Sequence, residues 1–346
     1  MGVCGVWCAI GCLNTYPKPK LERFAMWDRL LCSLLLALAS IGLVFTAAAQ
    51  DYPNKPIKIM VPYPPGGVTD VATRMVAPKM SETLGQPIII ENIPAAGGVV
   101  GTNAVAKAAP DGYTLMSAFD SFVTNPFLYK GVQHDPLKDF VPISLMVKSP
   151  QLLVVHPGTN IKTIADLIQQ GKEKNKVFFS TPGAGTSSRL SAELLKSMAG
   201  MDITLVSYRG GAAALNDLLG GQVTGMIASM GLVLPHVQSG KLLAIGVSSP
   251  ARSAQQPNVP TIASMIPGFE AQSWTGMVAP AATPKPILDK IHAALVKALA
   301  SPDIKDKLAA QGIDVVGSSS AEFADWLQKE TVRWSKVIKD RSITLE

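Results

Sequence analysis

From residue 51 onward the apolar positions follow two alternating rhythms. Short runs such as IKIMV (57–61), IIIEN (88–92), VFFST (177–181) and ITLVS (203–207) have the length and β-branched content of buried strands. Between them lie longer stretches whose apolar residues recur every three or four positions, as on a helix packed by one face. Strands alternating with helices predict an α/β sheet. Near the end, Phe323, Trp326, Leu327, Trp334, Val337 and Ile338 fall at helical spacing and read as a core face. Thr163-x-x-Asp166 and Ser319-x-x-Glu322 have the form of capping boxes that open helices.

The pattern occurs twice. IKIMVPYPPGGVTDVATRMVAPKM followed by LGQPIIIEN is matched by KVFFSTPGAGTSSRLSAELLKSM followed by AGMDITLVSYRG. Each copy runs strand, Pro/Gly turn, helix, strand, and each then enters a second glycine-rich helix start: PAAGGVVGTNAVAKA (94–108) and RGGAAALNDLLGG (209–221). Ligands of open α/β sheets lie outside the carboxyl ends of strands, so two such units predict two lobes facing across a cleft rimmed by helix N-termini. A helix start leaves backbone N–H groups unpaired and carries partial positive charge. Glycine lets a ligand approach that backbone, and proline ends the strand before it. PPGGVTD (64–70) and PGAGTSS (182–188), the latter with the hydroxyls of Thr186, Ser187 and Ser188, therefore predict sites for a carboxylate, phosphate or sulfate.

Some candidates carry two readings. Asp70 either steadies its own helix as a first-turn acid or faces the cleft toward a ligand ammonium. Arg209, behind Tyr208, and Arg189, inside the second helix, either grip a carboxylate or stand in solvent. Phe119 and Trp274 either stack on an aromatic acid or pack in the core. The segments 144–157 and 273–286 read as two crossings between lobes, a hinge that lets them close.

Composition narrows the function. The chain has 346 residues with a net charge of +6, and its basic residues are dispersed; the densest basic stretch, KEKNK, includes a glutamate. Nothing there predicts nucleic-acid binding. Residues 30–45 form an apolar run behind Arg29 that ends in Ala47-Ala48-Ala49, the pattern of a secretory signal peptide cleaved near Ala49. Met26 is an alternative start to Met1. All four cysteines (4, 8, 12, 32) precede that site, so the exported chain has no cysteine for a disulfide, metal or nucleophile. GxSxG, GxxxxGK[ST] and HExxH are absent, and the four histidines are far apart. No catalytic residues and no cofactor are expected.

The motifs YPNKPIKIMVPYPPGGVTD, GQPIIIEN, AAGGVVGTNAVAKAAPDGYTL, DPLKDFVPIS, STPGAGTSS, YRGGAAALNDLLGGQV, PHVQSGKLLAIGV, VPTIASMIPGFEAQSWTGMVAP and TPKPI, in this order, resemble the Bug-type, TctC-like receptors of tripartite tricarboxylate transporters. The resemblance implies an α/β, two-lobed periplasmic binding protein of type II (a flytrap) with two hinge crossings. Residues 1–49 would be signal peptide and extension, 50–151 with 275–346 lobe 1, and 152–274 lobe 2. It implies a monomer that captures a small carboxylate (a di- or tricarboxylate or an aromatic acid) and delivers it to membrane permease subunits. The matching site positions are Tyr63, Gly66, Gly67 and Asp70 with Gly97, Gly98, Gly101 and Thr102, and across the cleft Gly183, Gly185, Thr186 and Ser187 with Tyr208 and Gly210. Three positions depart from the family: Arg189 replaces a histidine, Ser207 a proline and Ala228 an acid. An extra cation and a lost acid predict a preference for a second anionic group on the ligand. A receptor that signals to a membrane sensor, or an enzyme on the same cleft, are the alternative readings.

Overall fold

The computed structural model describes residues 52–183, 185–208, 210–340 and 342–343. The signal-peptide expectation, the cysteines and Arg209 lie outside the described residues. The strands are β1 (Ile57–Val61), β2 (Ile88–Asn92), β3 (Thr114–Phe119), β4 (Phe140–Val155), β5 (Val177–Thr181), β6 (Ile203–Ser207), β7 (Gly225–Ser229), β8 (Leu243–Val247), β9 (Gln272–Pro280) and β10 (Asp314–Val315). The α-helices, in chain order, are α1 (Val68–Leu84), α2 (Val99–Ala106), α3 (Ser121–Leu128), α4 (Ile164–Gln170), α5 (Ser187–Ala199), α6 (Gly211–Leu219), α7 (Met230–Gln238), α8 (Lys285–Leu299), α9 (Pro302–Ala309) and α10 (Ser320–Asp340).

The strand order is β2-β1-β3-β9-β4-β7-β5-β6, with β8 and β10 also paired to β4. The sequence repeat is visible at the two ends of this path. There β1 pairs in parallel with β2, from Ile57 opposite Ile88, and β5 pairs in parallel with β6, from Val177 opposite Ile203. In the middle, β4 does two jobs in turn. From Phe140 to Pro150 it runs antiparallel to β9, and from Gln151 to Val155 it runs antiparallel to β7 and β8.

Helix faces follow the apolar spacing. Ala72, Val76 and Met80, each one turn apart on α1, are fully buried. On α10, Phe323, Leu327, Trp334 and Ile338 join the main core, with Trp326 and Val337 packed at its edge. Phe323 sits where Gly276 of β9 has no side chain; a Cβ there would lie 2.1 Å from its ring. Both expected capping boxes form: Thr163 and Asp166 exchange hydrogen bonds at the start of α4, and Ser319 and Glu322 do so at the start of α10. A second cluster, including Leu152, Val154, Ala228, Val233 and Val247, packs α6 and α7 against the β4–β7–β8 sheet.

Candidate functional site

The PPGGVTD turn links β1 to α1. Gly67 caps α1 without a side-chain hydrogen bond, so the first-turn amides depend on the loop or a ligand for partners. Asp70 shapes that loop. Its Oδ2 accepts the Gly66 N–H at 2.9 Å, its Oδ1 accepts Asn92 Nδ2 at 2.9 Å, and Arg74 Nε bonds both oxygens at 2.9 Å. Asn92 also donates to the Tyr63 carbonyl at 3.0 Å. Burial pushes the Asp70 carboxyl up, but the bonds from Arg74, Gly66 and Asn92 outweigh it and hold the group below its ordinary value. The helix-steadying reading of Asp70 is the one this geometry matches; its bonds go to its own loop and helix and to Asn92 at the end of the adjacent strand β2.

The 94–102 turn lies beside it. Gly98 has φ +95°, and an added Cβ would meet the Tyr63 ring at 3.1 Å and the Pro62 carbonyl at 3.2 Å, so a side chain is excluded by conformation and by space. A Cβ added at Gly101 would lie 2.8 Å from Pro62 Cβ, closer than two carbons can pack. The Thr102 hydroxyl donates to the Gly98 carbonyl at 2.8 Å. Asn125 of α3 donates to the Gly97 carbonyl at 3.0 Å. The Tyr63 hydroxyl meets Ser121 Oγ at 2.8 Å, and its ring stands edge-on to Phe119 at 5.4 Å. Gly98, Gly101 and Thr102 thus set the turn's shape, while Gly97 is exposed and Tyr63 half-buried at its edge.

In the second half, Thr186 caps α5. Its hydroxyl accepts the Arg189 N–H at 3.4 Å and donates to the Gly183 carbonyl at 2.8 Å. Gly185 is half-buried before it. Ser187 Oγ lies 2.9 Å from Ser273 Oγ of β9, and Gln151 Nε2 of β4 donates to both, at 3.1 and 3.3 Å. The Gly210 N–H donates to the Pro182 carbonyl at 3.1 Å, tying the β6–α6 turn to the PGAGTSS turn. The Tyr208 hydroxyl is turned onto α6, where it donates to Asp217 Oδ2 at 2.6 Å.

Between the halves is a cavity of about 610 Å³. Pro65, Gly66, Gly67, Val68 and Val71 line it from the start of α1; Gly211 and Ala212 from α6; Ser229, Gly231 and Leu232 from α7; Gln311 and Ile313 from the approach to β10. Three helix N-termini thus converge on one space. The volume is that of a small-molecule pocket. Ser229 and Leu232 were not among the residues expected from sequence, because the β7–α7 turn has no glycine-rich signature, and Gln311 reaches the cavity from the distant approach to β10.

Asp120 was also missed. It follows β3 and precedes α3, the same strand-to-helix position as the glycine loops, and that position was the available signal. It is buried; Oδ1 accepts the Trp274 N–H at 3.0 Å and Oδ2 has no hydrogen-bond partner. Burial pushes its carboxyl up to about 7; the Trp274 N–H and the neighbouring Ser273 and Ser187 hydroxyls, neither of which bonds Oδ2, only temper this, and Glu330 adds to it.

The departures from the family pattern take unforeseen places. The Arg189 guanidinium bonds Ser207 Oγ at 2.9 Å and lies 3.6 Å from Glu193, so its charge is offset within α5. Ala228 is buried in the apolar cluster under α7. The expected preference for a second anionic group therefore gains no free cation from Arg189. Trp274 is fully buried and edge-on to Phe323 at 5.7 Å, a core position.

Two β-α-β units flanking antiparallel crossing strands, with helix starts around a shared cavity, define the α/β periplasmic binding protein fold. The solved periplasmic binding protein BugD is similar: 32% identity, TM-score 0.74, covering 85% of this chain and all of that one. The sequence profile of the tripartite tricarboxylate transporter family receptors matches residues 72–343, and the chain belongs to that family. It is a family of transport receptors, which bind rather than catalyse. Two further solved structures resemble it. The R. palustris protein Rpa4515 with adipate is 31% identical, with a TM-score of 0.76, over 85% of this chain and all of that one. MatC from Rhodopseudomonas palustris with bound malate is 32% identical, with a TM-score of 0.71, over 83% of this chain and all of that one.

Proposed function

We propose that this receptor, exported by its signal peptide and cleaved near Ala49, captures a small organic carboxylate in the periplasm as a monomer and hands it to the membrane permease subunits of a tripartite tricarboxylate-type transporter. The observation that carries the reading is the convergence of the α1, α6 and α7 starts on one cavity of about 610 Å³, a donor-rich, positively polarised surface suited to an anion. The solved relatives with adipate and malate support a carboxylate as that anion. The ligand contacts are assigned to Gly66 and Gly67, which line that cavity, and, beyond its lining, to Tyr63, Gly97 and Gly98 on one side and Gly183, Gly185, Thr186, Ser187 and Gly210 on the other. Asp70, Gly101, Thr102 and Tyr208 support these turns.

The lobes would divide at 151/152 and 274/275. The change of β4 partner from β9 to β7 between Pro150 and Gln151 supports the first boundary. Closure about β4 and β9 would bring the two sets of turns onto the ligand.

The test is the thermal midpoint of protein that has been unfolded, dialysed and refolded, measured against adipate, malate, citrate and benzoate. A ligand at a hundred times its Kd adds about 2.7 kcal/mol, a rise of several degrees at roughly 2–4 °C per kcal/mol. A selective rise that shrinks in Thr186→Ala is the expected outcome. No rise with any acid of the panel would sink the carboxylate reading.

A further inference from the structure

We propose that Asp120 is part of the ligand site and acts as its neutral acid, donating its proton to an oxygen of the captured carboxylate, so that capture above neutral pH takes up a proton. This rests on the carboxylate reading above.

Three observations place Asp120 there. It adjoins Ser121, whose hydroxyl meets that of Tyr63 at 2.8 Å. On the same short helix, Asn125 holds the Gly97 carbonyl at 3.0 Å. From the other half of the molecule, Ser187 reaches the Ser273 hydroxyl beside the Asp120 carboxyl. Asp120 therefore stands where the Tyr63, Gly97 and Ser187 turns come together, buried and with one oxygen unpartnered. A buried oxygen left without a partner costs free energy that a ligand bond would recover.

The surroundings decide its protonation state. Among the described residues no cation pairs with it. Arg74 is held by Asp70, Arg189 by Glu193 and Arg333 by Glu330, while Lys148 lies over the Trp326 ring at 3.6 Å. The titratable groups that face it are Tyr63, from the β1–α1 turn, and Glu330, from α10. Burial pushes the Tyr63 phenol up and keeps it neutral, and Glu330 opposes a second negative charge nearby. An incoming carboxylate opposes it further, because two carboxyl groups at one site favour sharing a proton. The bond that forms runs from the protonated oxygen of Asp120 to an oxygen of the ligand; nothing else is transferred.

The probe is adipate, or malate if the panel shows malate to be the better ligand. Calorimetric titration from pH 7 to 9, in two buffers of unequal ionisation enthalpy, counts protons while the ligand stays ionised. The expected result at pH 8 is an uptake approaching one proton per ligand, with Kd rising toward tenfold per pH unit. Asp120→Asn should abolish the uptake and flatten the profile. A wild-type Kd independent of pH, with no uptake, overturns the proposal and leaves the receptor reading standing. Binding that tightens as pH rises also overturns it and makes Asp120 an acceptor. An uptake that persists in Asp120→Asn assigns the proton elsewhere. If the Asn variant does not fold, the wild-type proton count alone decides. Failure of both acids at every pH removes the receptor reading and this proposal together.

Discussion

Asp70 and Asp120 both stand at strand-to-helix junctions of the first half, Asp70 in the first turn of α1 and Asp120 directly after β3, and both are buried, at 3% and 4% exposure. Their partners differ. Asp70 receives a backbone N–H, an amide and a guanidinium, so its charge is the fixed point around which the PPGGVTD turn is arranged. Asp120 receives one backbone N–H and stands among hydroxyls and a second carboxyl. One is held as an anion and the other is driven toward the neutral acid. The lesson is that burial drives a carboxyl toward the neutral acid unless donors within bonding distance outweigh it.

The largest expected effect comes from breaking the better-partnered member. Asp70→Ala leaves Arg74, Asn92 and the Gly66 N–H without their acceptor and should cost about 2–3 kcal/mol. In thermal unfolding that is a fall of roughly 5–10 °C. A loss below one degree would show that the network does not hold the turn.

The next test exploits the opposite signs of the two groups. The Asp120 carboxyl titrates near 7 when folded and near 4 when unfolded. The folded state holds the extra proton between those values, so this group's contribution to stability falls as pH rises from about 4 to 7 and is level above. Asp70, held low, contributes fully above about pH 4 and loses its contribution as pH falls below. Asp120→Asn should therefore match the wild type at pH 5 and exceed it at pH 8, by about 2–3 kcal/mol. A variant less stable than the wild type at pH 8 would contradict the neutral-acid assignment.

The smallest effect belongs to Arg74→Met. Arg74 is half exposed, so its pairing is screened and should be worth about 0.5–1 kcal/mol. Its sharper reading is in acid, where Asp70 should titrate at higher pH once the guanidinium is gone. An unchanged acid limb would mean that Gly66 and Asn92 suffice.

Much of the architecture was legible because its signals are local. Alternating strand and helix rhythms, the repeated Pro/Gly turns and both capping boxes are written within a few residues of where they act. The positions of Thr186, Ser187 and the 62–70 turn followed from the same local chemistry. What escaped depends on residues distant in sequence. Asp120 owes its state to Trp274, Ser187, Ser273 and Glu330, which the fold brings from three other elements, β9, α5 and α10. Ser229 and Gln311 line the cavity through packing that no spacing predicts. Arg189 is a different case: Glu193 stands one helical turn away, the separation at which helix side chains meet, and the residue's charge was read without that partner.

The sixteen-residue strand β4 bears on how the protein unfolds. Strands β9 and β10 find their partner in its first part, and β7 and β8 in its last five residues, so a single segment completes both sheets. Pulling it from either sheet removes it from the other. The two halves should therefore melt as one cooperative unit, with a calorimetric enthalpy equal to the van't Hoff value, even though the chain repeats itself in sequence.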